Sequence, residues 1–311
     1  MSGKRSSRRT VNARTTTRRT ILRQVAAAAV ATSAAPALAP GAADPDEHRQ
    51  GPAATRGRVR QSLIYWCYEK YWNVEQMARV ARDLGCHSVE LVDPQHWDTL
   101  KKYGLTCAIA GSHGFVQGMN NPKYQPKCLQ VLRERIGQCA AAGVGNVITF
   151  TGMRDDIPAD VGMDNCVKGY KQILGYAEKK GVTLCLEMLN SRVNQTMKGH
   201  PGYQGDHTDY CIELIKRVGS ERLKLLFDIY HVQIMDGDII RRIHQYTDYV
   251  AHVHTAGNPG RGELDDKQEI NYRPIIQALV DAGYKGFVGQ EFIPTRDPSV
   301  GLREAVTLCD V

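Results

Sequence analysis

The segment Thr183-Leu-Cys-Leu-Glu187 is one of four short apolar runs that each end in a side chain able to bind a metal ion. The others are Leu223-Lys-Leu-Leu-Phe-Asp228, Val250-Ala-His-Val-His254 and Gly286-Phe-Val-Gly-Gln-Glu291. Such runs are typical of strands buried on both faces. A helix-length segment separates each run from the next, and parallel strands joined by helices bring their carboxyl ends to one side of a sheet. The four terminal side chains are therefore predicted to meet.

The chain from residue 61 onward repeats this alternation of strand and helix. The predicted strands are 62–66, 88–92, 105–110, 146–150, 183–187, 223–228, 250–254 and 286–291. Eight strand–helix units over about 250 residues are typical of a (β/α)8 TIM barrel, an α/β fold whose active site lies at the carboxyl ends of the strands. A doubly wound open sheet is the alternative, but it rarely needs eight units, and no G-x-G-x-x-G follows the first strand.

The basic character of the chain belongs to its N-terminal segment. Residues 1–60 hold 12 Lys and Arg against 3 Asp and Glu, a charge of +9, although the net charge of the whole chain is only +7. The remaining residues therefore carry about −2, which argues against a surface for binding nucleic acid. The predicted partner is a small molecule, with no nucleic acid and no stable membrane span, and a homo-oligomer is possible.

Residues 1–43 resemble an export signal. Arg18 and Arg19 form a twin arginine, an Ala-rich apolar run follows, and the favoured cleavage point is Ala43. The apolar run is too short and too rich in Ala to be a good membrane span. Residues 44–60 are predicted to be a linker and 61–311 a single catalytic barrel domain. Export by a twin-arginine route to the periplasm or another extracytoplasmic space is the expected localisation, with a disordered basic tail as the alternative.

The nine cysteines are predicted to be buried free thiols. Their number is odd, no C-x-x-C occurs, and most lie in apolar strand or helix contexts. A protein that folds before export has no need of structural disulfides.

The candidate metal ligands are Glu187, Asp228, His254 and Glu291. Three carboxylates and an imidazole that meet at one point repel one another unless a cation lies between them. Three oxygen ligands and one imidazole suit Mg²⁺ or Mn²⁺ better than a structural zinc ion. Glu187 and Glu291 are also the predicted acid and base, which would move a proton next to a substrate carbonyl through an enediolate.

Four further residues are candidates for substrate binding. His231 follows Asp228 by three residues, and Arg261 lies on a Gly-rich loop just past His254, where its guanidinium is able to bind a carboxylate, a hydroxyl or a phosphate. His113, after the third strand, and Arg192, after Glu187, complete the set. Glu90 and Trp66 would face the same mouth or simply fill the barrel, and His252 is expected to lie deeper or to support His254 from behind.

Several motifs resemble the hydroxypyruvate isomerase branch of the xylose isomerase-like barrels. They are Leu186-Glu-Met-Leu-Asn-Ser-Arg192, Phe227-Asp-Ile-Tyr-His-Val-Gln-Ile-Met-Asp-Gly237, His252-Val-His-Thr-Ala-Gly-Asn-Pro-Gly-Arg-Gly-Glu263 and Gly289-Gln-Glu-Phe-Ile-Pro294. The resemblance covers residues 61–311. It implies a divalent metal at the four ligand positions, acid and base at Glu187 and Glu291, and substrate contacts from His231 and Arg261.

Two departures from that branch leave the substrate open. The branch usually carries Gln where this chain has His254, whereas the sugar epimerases of the superfamily carry His. An export signal also fits poorly with a cytoplasmic metabolite such as hydroxypyruvate. The leading hypothesis is thus a metal-dependent isomerase or epimerase of hydroxypyruvate or a keto-sugar. A metal-dependent lyase, dehydratase or hydrolase, and a non-catalytic exported sugar-binding protein, are the alternatives; DNA phosphodiesterase action is disfavoured.

Overall fold

The computed structural model describes residues 51–311. The predicted signal segment 1–43 and residues 44–50 of the predicted linker lie outside the described residues. Seven parallel strands form one sheet, in the spatial order β2-β1-β7-β6-β5-β4-β3. They are β1 (Arg60–Ile64), β2 (Ser88–Glu90), β3 (Asn146–Thr149), β4 (Thr183–Glu187), β5 (Leu223–Asp228), β6 (Val250–Thr255) and β7 (Phe287–Gln290).

Residues 105–110 occupy the eighth position and close the barrel, but they do not form the regular strand that the sequence predicted. Thr106 forms a parallel bridge to Ser88 of β2, and Ala110 forms one to Val147 of β3. Between these bridges the ladder is interrupted at Ala108, whose N–H donates to Ser88 Oγ and whose carbonyl accepts from Asn146 Nδ2, while the Leu91 N–H still donates to the Ile109 carbonyl. Because side chains satisfy these backbone groups, a continuous ladder is not required.

Helices follow the strands and cover the outside of the barrel. The α-helices of residues 51–311 are α1 (Val74–Asp83), α2 (Trp97–Lys102), α3 (Gln125–Ala142), α4 (Ala159–Lys180), α5 (Thr208–Val218), α6 (Ile229–Met235), α7 (Ile239–Tyr246), α8 (Tyr272–Asp281) and α9 (Pro298–Cys309). Local chemistry sets their ends. Asn73 and Gln76, for example, form a reciprocal capping box at the start of α1, an arrangement worth about 1 kcal/mol.

The strands have two apolar faces, one toward the helices and one toward the barrel axis. Along β4, Leu184 and Leu186 pack into the large core between sheet and helices, while Cys185 belongs to a smaller inner cluster. Ile148 of β3 and Leu226 of β5 join Cys185 there. Alternate residues of a strand point to opposite faces, so the runs that looked uniformly apolar divide between two cores. All nine cysteines are buried and unpaired, which confirms the prediction of free thiols.

Residues 51–59, which the sequence assigned to the linker, are hydrogen-bonded to the barrel. The N–H groups of Ala53 and Ala54 donate to the carbonyl of Leu84 at 3.0 and 2.9 Å. Thr55 and Arg56 donate to the carboxylate of Asp310, which follows α9. The two ends of the described chain therefore meet. Within residues 51–311, no helix combines the length and the apolar character needed to cross a membrane.

Candidate active site

The four candidate ligands meet at the carboxyl ends of four neighbouring strands. Glu187 ends β4, Asp228 ends β5, His254 lies on β6, and Glu291 directly follows β7. One ligand atom from each lies within 4.8 Å of the corresponding atoms of the other three, and all four residues are buried. The predicted convergence is thus confirmed, and it follows from the parallel register of adjacent strands, in which Asp228 pairs with His254.

Glu291 is the most strongly held carboxylate of the cluster. Its Oε1 accepts a hydrogen bond from Trp66 Nε1 at 3.0 Å, and its Oε2 accepts from His254 Nδ1 at 3.0 Å and from Arg261 Nη2 at 2.6 Å. Burial by itself would raise the pKa of Glu291, but Arg261 and His254 hold it well below its ordinary value. Glu291 is therefore ionised. Trp66 lies in a turn just after β1 (Tyr65–Cys67), so the first strand also contributes to the site.

Glu187 and Asp228 each keep one oxygen free to bind something else. Glu187 Oε1 and Asp228 Oδ2 are buried and have no hydrogen-bond partner among the described residues. Asp228 Oδ1, by contrast, caps α6 by accepting from the N–H groups of Tyr230 and His231. Burial raises the pKa of Glu187, and it raises the pKa of Asp228 to about 7. Buried oxygens without a partner are costly, and here they point into one cluster.

This arrangement fits a divalent cation. Two free carboxylate oxygens, the Glu291 carboxylate and the Nδ1 atom of His254 form a compact set of three oxygen ligands and one imidazole. Oxygen ligands are the kind that Mg²⁺ and Mn²⁺ accept. Asp228 is able to cap α6 and to bind a metal at the same time, because Oδ1 forms the cap and Oδ2 is left for the metal.

A second buried cluster supports His254 from behind. Glu90 Oε2 accepts from His252 Nε2 at 2.7 Å and from His254 Nε2 at 3.1 Å, and all three side chains are fully buried. A Cβ on Gly289 would lie 2.8 Å from Glu90 Oε1 and 3.0 Å from His254 Cδ2, so only glycine leaves them this space. With its Nε2–H directed at Glu90, His254 points Nδ1 at the carboxylates, which is the orientation of metal-binding histidines. In the protein as described Nδ1 donates to Glu291, because the pKa of His254, which burial alone would lower, is raised by the surrounding carboxylates; a cation would have to displace that proton.

His231 presents an N–H to the cluster. Its Nδ1 accepts from the backbone and side-chain amides of Asn190, at 3.0 and 2.7 Å, which places the ring proton on Nε2. That Nε2 lies 3.6 Å from Asp228 Oδ2 and has no partner among the described residues. Burial, together with the Arg261 charge, lowers the pKa of His231 well below its ordinary value. His231 is therefore a neutral donor directed at the site, as its predicted role requires.

Arg261 lies inside the cluster rather than on its rim. The side chain is buried, with Nη2 2.6 Å from Glu291 Oε2 and 3.6 Å from Asp228 Oδ2, and Nη1 donates to the Met197 carbonyl at 2.7 Å. Its backbone has a φ of 56°, a left-handed conformation that costs a non-glycine residue about 1 kcal/mol. Arg261 lies in a tight loop that is closed by an antiparallel bridge between Gly257 and Gly262. The strands of this bridge approach so closely that a Cβ on Gly257 would lie 2.2 Å from the Glu263 carbonyl oxygen.

The other two predicted substrate-binding residues are placed differently. His113 lines the cavity, but both ring nitrogens are engaged: Nδ1 with the carbonyls of Gly114 and Gln117, and Nε2 with Thr149 Oγ1. Arg192 is exposed and donates to the Ile234 carbonyl at 2.9 Å. The structure therefore does not bring Arg192 into the cavity.

The cavity above the cluster has a volume of about 230 Å³. Glu187, Glu291 and Arg261 line it together with apolar and aromatic side chains that include Trp66, Phe115 and Phe150. Met197 and His200 enter it from the long loop after β4. The sequence does not predict that these loop residues enter the site, because no strand register fixes their direction. The density of Asn, Gly and His in the loop was the one signal that it is more than a connector.

His200 is the polar side chain that this loop contributes to the cavity. Its ring packs on Phe115 with centroids 4.2 Å apart, and the centroid of His231 lies 6.0 Å away. Burial, with a contribution from Arg261, lowers the pKa of His200 to about 4. The imidazole is therefore neutral near pH 7.

Comparison with known proteins agrees with the barrel fold described above. A family model described as a xylose isomerase-like TIM barrel matches residues 78–309. The chain belongs to this family. A relative in Mus musculus, named a putative hydroxypyruvate isomerase, is 34% identical over 257 residues, which cover 80% of this chain and 85% of that protein.

Two solved structures share the fold of this chain. An AP endonuclease of family 2 from Brucella melitensis superposes with a TM-score of 0.70 at 24% identity, over 78% of this chain and 96% of that one. The 3-keto-D-glucoside 4-epimerase of E. coli superposes with a TM-score of 0.67 at 15% identity, over 81% and 98% of the two chains. At these identities the likeness establishes the barrel alone.

Proposed function

We propose that the protein is a divalent-metal-dependent isomerase or epimerase that acts on a small hydroxy-carbonyl compound, either hydroxypyruvate or a keto-sugar, through an enediolate. The observation that carries this proposal is the pair of unpartnered buried oxygens, Glu187 Oε1 and Asp228 Oδ2, in one cluster with His254 and Glu291. Isomerase activity in general is supported by the relatives, such as the mouse protein named a putative hydroxypyruvate isomerase.

The two glutamates supply the proton transfers. One carboxylate takes the proton from the carbon next to the carbonyl, the C–H electron pair forms a C=C bond, and the carbonyl oxygen gains the negative charge. Returning the proton to the neighbouring carbon, while the hydroxyl proton passes to the former carbonyl oxygen, gives an isomer. Returning it to the opposite face of the same carbon, with the carbonyl reformed, gives an epimer. When bound, a divalent cation would offset the charge that develops on the two substrate oxygens. His231 Nε2–H and Arg261 would orient those oxygens.

The environments of the two glutamates differ in the way that acid–base pairs require. Burial raises the pKa of Glu187, whereas Arg261 and His254 keep that of Glu291 well below its ordinary value, against the effect of burial. Carboxylates whose environments separate their pKa values commonly divide the roles of acid and base. In the protein as described, without a metal ion, Glu291 is therefore the carboxylate held more firmly in its ionised form.

The decisive experiment is proton exchange in D₂O followed by NMR. Hydroxypyruvate and a panel of ketoses are incubated with the protein, once with Mg²⁺ or Mn²⁺ and once with a chelator. Metal-dependent incorporation of deuterium next to the carbonyl is expected, with a loss of several orders of magnitude in Glu291→Gln. Near-normal turnover in that variant would remove the acid–base assignment, and no incorporation from any compound would favour a lyase or a binding protein.

We further propose that residues 1–43 direct export by a twin-arginine route. The proposal rests on Arg18 and Arg19 ahead of an Ala-rich run and is compatible with nine buried cysteines that need no oxidising compartment. Residues 1–60 fused to a reporter that folds before transport should carry it out of the cytoplasm. Replacing both arginines by lysine should retain it inside, and export of that variant would contradict the proposal.

A further inference from the structure

His200 is a polar residue of the cavity that the proposed chemistry leaves unused. It belongs neither to the carboxylate cluster nor to the groups that orient the reacting oxygens, yet its ring lines the cavity and is only 6% exposed. Within residues 51–311, neither ring nitrogen of His200 has a hydrogen-bond partner. The ring nitrogens of His200 are therefore available to hydrogen-bond a molecule that enters the cavity.

The loop that carries His200 is fixed to the catalytic strands. The His200 N–H donates to the Asn190 carbonyl at 2.8 Å, and Asn190 is also the residue that orients His231. The Tyr203 hydroxyl donates to the Glu187 carbonyl at 2.9 Å, and the Tyr230 hydroxyl donates to the Lys198 carbonyl at 2.8 Å. A ring held in this way is preorganised, which is what specificity in a binding site demands.

The charges in the cavity disfavour an acidic substrate. Arg261 is the only Lys or Arg among the described residues that line it, and its guanidinium is already paired with the Glu291 carboxylate, 2.6 Å from Nη2. A divalent cation and Arg261 together carry three positive charges, which the carboxylates of Glu187, Asp228 and Glu291 cancel. A substrate carboxylate or phosphate would therefore be buried without a counter-charge, which is unfavourable.

The cavity is larger than a three-carbon compound needs. Its volume of about 230 Å³ compares with roughly 150 Å³ for an engineered protein cavity that binds benzene. A six-carbon ketose in the open-chain form that the enediolate requires fits this space, and Trp66 and Phe115 offer apolar faces for its C–H groups. Pockets of this kind combine aromatic walls with a few fixed polar groups.

We propose that His200, packed on Phe115, forms a specificity subsite that hydrogen-bonds the hydroxyl groups of an uncharged, sugar-sized ketose, namely those hydroxyls that lie beyond the two reacting oxygens. The inference rests on the proposed function for the reaction itself, but it makes a separate claim about binding. It selects a neutral keto-sugar over hydroxypyruvate and over sugar phosphates.

Binding of a six-carbon ketose and of hydroxypyruvate, measured by ligand-observed NMR on the full chain with Mg²⁺, tests the subsite. His200→Phe keeps a ring against Phe115 but removes both nitrogens, and His200→Gln keeps one donor and one acceptor. His244→Phe, on the exposed surface of α7, is the matched control. We expect His200→Phe to weaken ketose binding about tenfold, the loss of one hydrogen bond, and His200→Gln to restore part of it.

Two results would overturn the inference: tighter binding of hydroxypyruvate than of every ketose tested, or unchanged ketose binding in His200→Phe. Absence of ketose binding to the unmodified protein also counts against it. Deuterium exchange separates this inference from the proposed function. Metal-dependent exchange of hydroxypyruvate without ketose binding would retain the reaction and remove the subsite. Ketose binding that depends on His200, without exchange of any compound, would retain the subsite and remove the reaction.

Discussion

Some residues of this protein have both a structural and a chemical role, and each role is carried by a different atom of the side chain. Asp228 caps α6 with Oδ1 and offers Oδ2 to the cluster, and His254 contacts Glu90 through Nε2 and the carboxylates through Nδ1. Such division is possible because each polar group has two separate hydrogen-bonding atoms. It also means that supporting residues such as Glu90 should affect metal binding without touching the metal.

At the residue scale, we expect Glu90→Gln to weaken Mn²⁺ binding. Glutamine lacks the charge that holds the Nε2–H of both His252 and His254, so His254 loses its fixed orientation, and losses of about 10- to 100-fold in metal affinity follow changes of this kind. Titration with Mn²⁺, followed by the EPR signal of the free ion, measures the effect.

The matched control for this prediction is Glu304→Gln, since Glu304 is half-exposed on α9. Glu90→Asp should recover part of the affinity, because it restores the charge. Equal Mn²⁺ affinity in Glu90→Gln and the unmodified protein would show that Glu90 only fills the barrel.

The sequence predicted the site residues that strands position, but of the loop residues it predicted Arg261 correctly, misplaced Arg192 and missed His200. Glu187 and His254 project from strands whose alternation and register are periodic, so their meeting follows from the fold alone. Arg192 and His200 lie on one long loop, and only the tertiary contacts of that loop decide that His200 enters the cavity while Arg192 faces Ile234. No periodic pattern carries that information.

At the scale of elements, the loops after the strands are tied to one another by carboxylates. Glu263, on the loop that carries Arg261, accepts from the Thr295 N–H and hydroxyl, both at 2.8 Å, and from the Arg296 N–H. Asp236 accepts from the Thr208 N–H at 2.8 Å and from His207 Nδ1 at 2.6 Å. It thereby caps α5, whose own N-cap residue His207 makes no side-chain cap.

We expect Glu263→Ala to lower stability and activity together. The substitution leaves the N–H groups of Thr295 and Arg296 without their acceptor, which costs about 1–3 kcal/mol. It also loosens the loop that holds Arg261 against Glu291. Chemical denaturation and the deuterium-exchange assay measure the two effects. Glu269→Ala is the control, because Glu269 is an exposed residue of the same loop whose bonds are to Asn258 and Gln233. Full activity in Glu263→Ala would show that Arg261 does not depend on this link.

The Asp236 cap should make stability depend on pH in the acid range. Burial would raise the pKa of Asp236, but the hydrogen bonds from His207 and Thr208 hold it below its ordinary value of 3.8. Its stabilising contribution is therefore present above pH 3.8 and is lost as the pH falls below that value. Asp236→Asn should remove about 1 kcal/mol at neutral pH and flatten the loss of stability toward pH 3. Parallel pH profiles for both proteins would contradict this.

One element prediction failed for an identifiable reason. Residues 105–110 have the composition of a strand, yet Ser88 and Asn146 provide hydrogen bonds from their side chains where a ladder was expected. Tertiary context of this kind overrides strand propensity, and a single sequence does not reveal which polar side chains will face a neighbouring backbone.

At the scale of the whole molecule, the segment before β1 is part of the barrel. Ala53 and Ala54 are bonded to the end of α1, and Thr55 and Arg56 to Asp310 after α9. Composition alone had suggested a linker, because Pro, Gly and Arg are common in both linkers and irregular packed segments. What distinguishes this packed segment from a linker is its hydrogen bonding to distant residues. Thr55, for example, is bonded to Asp310, which lies 255 positions away in the chain.

We therefore expect a chain that begins at residue 60 to be less stable than one that begins at residue 51. The shorter chain loses the bonds to Leu84 and leaves the Asp310 carboxylate, now only 7% exposed, without its donors. The loss should be about 2–4 kcal/mol, or roughly 5–10 °C in Tm for a domain of this size. Asp310→Asn should reproduce part of it in the longer chain. Equal melting temperatures for the two chains would show that residues 51–59 contribute no stability.

The meeting of Thr55 with Asp310 makes the described chain close to a ring. Joining those ends with a short flexible peptide would close a circle without distorting the barrel, and new ends could then be opened in exposed connections elsewhere. A break within residues 153–158, between β3 and α4, would leave every strand and helix whole. Circular permutants of this kind should fold and keep the site, because proximity of the termini is the property on which permutation depends.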